Sequence, residues 1–189
     1  MPATSLNISD PNLPIPEFLI LDASIVLELA PDPNGQPHRK HTEAVAFLSR
    51  LQKEAIAERV IAILPLLAFE ECYFKICHRI LFALAGNGWK SYYKANPSSI
   101  IQIIPHLTHF FNTLRSFPIH ISEPEDIALP AVANATPLSQ RMGELIDAFR
   151  ILPKDATILS EAERWQIRDV ATLDSDWVRA DGFNVYTPL

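Results

Sequence analysis

The chain has 189 residues, 48% of them hydrophobic and 20% charged, and a formal net charge of −6. That length and apolar content suffice for the core of one globular domain, and no apolar run approaches the roughly 18 residues of a membrane span. The acidic balance weighs against a general affinity for polyanions, although a nuclease with a carboxylate-rich site remains compatible with it.

Residues 1–16 are rich in proline and polar side chains, lack the features of a signal peptide, and read as a flexible N-terminal arm. The run EFLILD (17–22) is apolar and closes on an aspartate, which predicts a buried parallel strand. A turn-rich loop, PDPNGQPHRK, follows at 31–40. From Thr42 to about Glu58 the apolar spacing predicts an amphipathic helix with Thr42 as N-cap. RVIAIL (59–64) predicts a second buried strand, and Pro65 suits the start of the helix LLAFEECYFKICHRILFALAG.

That helix ends at Gly86-Asn87-Gly88, and WKSYYKANP reads as a connector. IIQIIPHLTHFFNTLRS predicts a helix kinked or interrupted at Pro105, capped by Ser98 or Ser99. Its apolar residues would bury either in the core or in a homodimer, which periodicity does not separate. FPIHI (117–121) predicts a third strand, and SEPEDIALPAVANATP reads as loop with one helical turn. LSQRMGELIDAFRI and PKDATILSEAERWQ predict two more helices; IRDVATL (167–173) and FNVYTP (183–188) predict the last two strands. Strands alternating with helices give an α/β domain over 17–189, with a mainly parallel sheet and helices on both faces. Cys72 and Cys77 lie five apart on one helix and therefore on different faces, which excludes a bridge and suits a reducing cytoplasm.

Ligands of open parallel sheets gather at the carboxyl ends of the strands. Asp22 ends the first strand, Asp174 and Asp176 follow the fourth, Glu70 and Glu71 follow the second, and Asp155 opens a helix. Two carboxylates about 4 Å apart repel by roughly 4 kcal/mol at an effective dielectric near 20, so a cluster needs cations or raised pKa values. Oxygen ligands without His or Cys favour Mg²⁺ or Mn²⁺, ions that serve phosphodiester or phosphomonoester hydrolysis. Each acid also has a structural reading: Asp22 and Asp174 as N-caps, Asp155 and Asp176 as first-turn acids, and one of Glu70 and Glu71 on a solvated face.

Three stretches together resemble the PIN domain family. FLILDASIVLEL is similar to its opening strand, where a small residue and then Ser, Thr or Asn follow an aspartate. LPLLAFEECYFKICHRI is similar to its second acidic segment. LPKDATILSEAERWQIRDVATLDSDWVRADGFNVYTP resembles its closing half, with a T-x-D-x-D-[FW] turn. Residues 86–137 carry no such resemblance.

The resemblance implies a three-layer α/β/α sandwich that cleaves single-stranded RNA, with Mg²⁺ or Mn²⁺ as cofactor. Asp22, Glu71, Asp155 and Asp174 would be the catalytic acids and metal ligands, with Asp176 accessory and Ser24 and Thr172 supporting. A one-residue shift would put Glu70 in place of Glu71. The resemblance further implies a cytoplasmic toxin nuclease with an antitoxin protein as partner. Against the toxin role, the chain is longer than the compact PIN toxins, and Asp-Ala-Ser replaces the commoner Asp-Thr-Asn.

The basic stretch His38, Arg39, Lys40 and His41 would either touch the RNA backbone or form a solvated helix start; Arg79, Arg164, Arg168 and Arg179 are comparable candidates. A rival class is a non-catalytic PIN-like module that binds RNA or protein. A phosphatase with an aspartyl nucleophile would need an acid where Ser24 stands.

Overall fold

The sequence folds, in a computed structural model that describes residues 3–30, 39–122 and 136–189, around one six-stranded parallel sheet. The strands are β1 (Thr4–Asn7), β2 (Phe18–Leu21), β3 (Ile61–Leu64), β4 (Ile119–Ile121), β5 (Asp169–Ala171) and β6 (Asn184–Thr187). Their order is β1-β6-β5-β2-β3-β4, and every neighbouring pair is parallel. Each strand is short because each apolar run is short. Leu19, Ile20 and Leu21 are fully buried, as a strand covered on both faces requires.

The helices are α1 (Ala23–Val26), α2 (His41–Ile56), α3 (Leu66–Ala85), α4 (Trp89–Ala95), α5 (Ile100–Ser116), α6 (Leu138–Phe149) and α7 (Pro153–Arg164). From β2 the chain steps through β3 to β4 in one direction along the sheet, then returns to β5 and β6 in the other. Right-handed crossovers place connections made in opposite directions on opposite faces, giving the three-layer α/β/α sandwich. No described helix is long and apolar enough to cross a membrane.

Four local expectations need correction. The N-terminal arm holds β1, whose four residues pair with β6 from Thr4 opposite Asn184 to Asn7 opposite Thr187. Only Leu6 of its four residues is apolar and none is fully buried, so no apolar run marks this edge strand. The helix α2 begins at His41 with Lys40 at its cap and no side-chain cap bond, so Thr42 does not cap it. The connector after Gly88 is helical over Trp89–Ala95. Pro105 lies within α5 without interrupting it, at the cost of the one bond its missing N–H would have given to the Ile101 carbonyl.

The loop expected at 31–40 falls mostly outside the described residues, as does most of that expected at 122–137. Gly86 ends α3 at φ 56° and ψ −141°, a conformation open to glycine and costly to other residues. At the other end of α3, the Leu66 amide donates to Ser122 Oγ at 3.0 Å, tying the helix start to the end of β4.

Candidate active site

The topological switch point lies between β2 and β5, where the chain's direction of travel along the sheet reverses. Parallel register pairs Leu21 with Ala171, so the next residues, Asp22 and Thr172, come side by side at the strand ends. The Asp22 amide still continues the ladder, donating to Ala171 O at 2.9 Å.

Asp22 is 4% exposed and caps α1. Its Oδ2 accepts from Ser24 Oγ at 2.5 Å, Thr172 Oγ1 at 2.9 Å and the Ser24 amide at 3.2 Å. All three bonds fall on one oxygen; Oδ1 has no hydrogen bond among the described residues. The two hydroxyls also accept. Ser24 Oγ takes the Leu173 amide at 2.9 Å, and Thr172 Oγ1 takes the Asp174 amide at 3.0 Å. Two side chains thus bolt the turn after β5 to the end of β2.

A cavity of about 490 Å³ opens over this network. Its lining brings together Asp22, Ser24, Glu71, Asp155 and Asp174 with Glu28 and the cations Lys75, Arg79 and Lys154. Asp155 is 5% exposed, in the first turn of α7, and its Oδ2 has no hydrogen-bond partner. Burial pushes its carboxyl up to about 6, and the Asp22 charge adds to the rise. The Lys154 ammonium opposes it and the Asp174 charge reinforces it.

Glu71 faces the cavity from α3, while Glu70, about 100° round the helix, is exposed and does not line it. Glu71 pairs with Lys154, and with Lys75 one helical turn on at 3.8 Å. Cys72, beside it, is buried and directs Sγ toward Ala23 O at 3.8 Å; burial and the Asp22 charge push its thiol upward, which makes it a packing residue. Both cysteines are free.

Asp174 both caps the short 3-10 turn Ser175–Arg179, accepting from the Asp176 amide at 2.9 Å, and lines the cavity. Asp176 is exposed, outside the lining, and pairs with Arg179 at 2.7 Å. Thr172 is fully buried beneath the lining.

Of the basic candidates, Arg79 lines the cavity. Arg168 and Arg179 are engaged with Glu163 and Asp176, and Arg164 is outside the lining. His41 Nδ1 lies 2.8 Å from Glu28 Oε2, and His38 lies outside the described residues.

Sequence reasoning missed Glu28, Lys75 and Lys154. Lys75 carried a signal, its spacing of four from Glu71. Glu28 did as well, as an acid inside the apolar run IVLELA.

The donors suit a hard divalent cation: carboxylate oxygens, one of them buried and without a partner, in a cavity also lined by cations. Among the described residues no three Asp, Glu, His or Cys side chains form a preassembled metal-binding group. No protein-family profile matches the chain, and no curated protein matches it in sequence.

Proposed function

We propose that the chain is a metal-dependent ribonuclease of the PIN type, cleaving phosphodiester bonds of single-stranded RNA. The observation that carries the reading is the cavity at the switch point, where Asp22, Glu71, Asp155 and Asp174 share one lining with Lys75, Arg79 and Lys154. Those four acids would hold Mg²⁺ or Mn²⁺, without Asp176, which pairs with Arg179 outside the lining. Such an ion polarises a phosphate and lowers the pKa of a bound water.

The chain's own residues do the rest. Ser24 and Thr172 hold the Asp22 carboxylate through Oδ2, leaving its other oxygen to a cation. Asp155 is the acid whose charge most needs a bound cation, because burial and the neighbouring Asp22 carboxylate both push its carboxyl up. Arg79, and Lys154 and Lys75 once a cation takes Glu71 from them, would hold the phosphate being cut. The test is cleavage of single-stranded RNA by the purified chain with Mn²⁺, and its loss in Asp22→Asn.

One observation favours a second reading, a non-catalytic module. The Glu71 charge is already countered by Lys154 and Lys75, so part of the acid cluster is compensated within the protein. Absence of any Mn²⁺-dependent rise in melting temperature would select it. An antitoxin partner and a toxin role remain part of the first reading; a small protein that co-purifies and blocks cleavage would establish them.

A further inference from the structure

We propose that α3 and α4 form a track for single-stranded nucleic acid leading away from the acidic cavity, an inference that takes its substrate class from the nuclease reading. Residues four apart on a helix share a face. On α3, Glu71, Lys75 and Arg79 make one such column, and all three line the cavity. The adjoining column is Phe74, His78 and Phe82, with Phe74 57% and Phe82 44% exposed. Phe74 and His78 stack with centroids 6.3 Å apart and planes at 20°, and His78 lies 5.8 Å from Phe82. Trp89 of α4 meets the same ridge edge-on, 5.2 Å from His78 and 6.4 Å from Phe74, and Lys90 Nζ sits 5.5 Å from the Trp89 ring centre.

The charge of this layer sets it apart. Residues 72–122 contain no Asp or Glu and carry Lys75, Arg79, Lys90, Lys94 and Arg115. All 22 acids and the other eleven of the sixteen cations lie elsewhere in the chain. The net charge of −6 therefore conceals a positive segment that carries exposed rings. Protein interfaces deplete lysine at their cores, whereas here Lys75 and Lys90 alternate with the rings. Bases offer a π-face to each ring and phosphates offer an anion to each cation, a pairing that tolerates any sequence.

The test is fluorescence anisotropy with a labelled single-stranded oligouridylate, on the Asp22→Asn chain in EDTA so that binding is read without cleavage. The double variant Phe74→Leu, Phe82→Leu keeps the apolar surface and removes the π-faces. It is expected to weaken binding by about tenfold or more, with the melting temperature unchanged. Unchanged affinity, or a parent chain that ignores the oligonucleotide, overturns the track. So does a dimer in sedimentation that Phe74→Asp dissociates with affinity unaltered, which would make the ridge a self-association surface. Cleavage by the wild-type chain is scored separately. Ridge-dependent binding without cleavage refutes the nuclease and leaves the track; cleavage indifferent to the ridge does the reverse.

Discussion

The Thr172 hydroxyl donates to the Asp22 carboxylate at 2.9 Å, joining residues 150 positions apart in the chain. The same oxygen accepts the Asp174 amide, so one buried threonine orients an acid from each side of the switch point. Thr172→Val keeps the volume and removes both bonds. It is expected to cost about 1–3 kcal/mol in urea unfolding, since it leaves the part-buried Asp174 amide without its acceptor. RNA cleavage should fall further than stability does, through a misaligned Asp22.

Asp22→Asn and Asp174→Asn retain shape and hydrogen-bonding capacity while removing one charge each. Cleavage of single-stranded RNA with Mn²⁺ is expected to drop below detection in both, with circular dichroism and melting unchanged. Full activity in either variant would dismiss that residue as a ligand.

Glu70 and Glu71 separate the two registers of the acidic segment. Glu71→Gln is expected to lose at least about a hundredfold in kcat/KM, about 2.7 kcal/mol of transition-state stabilisation, whereas Glu70→Gln stays near wild type. The steady-state rates of the pair decide it.

Lys154 pairs with Glu71 inside the cavity and competes with any bound cation for that carboxylate. Mn²⁺ at millimolar concentration should raise the melting temperature of the wild type, by RT ln(1 + [L]/Kd) expressed as roughly 2–4 °C per kcal/mol. In Lys154→Met the shift should be larger at the same concentration. Differential scanning fluorimetry across a Mn²⁺ series measures both.

Glu161 is 4% exposed on α7, its Oε2 lacks a partner, and burial pushes its carboxyl up to about 7 against the pull of Arg164. A folded-state pKa above the unfolded value means the native state holds the proton more tightly. The associated stability is present below about 4.5 and is lost as pH rises through about 7. Glu161→Gln should therefore be more stable than wild type at pH 8, by up to about 3 kcal/mol, and close to it at pH 4. Urea unfolding at the two pH values gives the difference directly.

The alternation of apolar runs with amphipathic helices was legible along the chain, because buried parallel strands and one-sided helices leave period and composition in the sequence. So was the placement of Asp22, Asp155 and Asp174 at element ends, since ends are marked by the break in the apolar pattern. β1 was not legible: an edge strand with a single apolar residue looks like coil until β6 supplies its ladder. Resemblance already favoured Glu71 over Glu70 in the sequence, and the packing of α3, which meets Ser122 and Ala23, turns Glu71 to the cavity. Lys154 and Glu28 entered the cavity for the same reason. A side chain's type and its place in an element are local properties, but the direction it points and the charges it meets are set by how the layers pack.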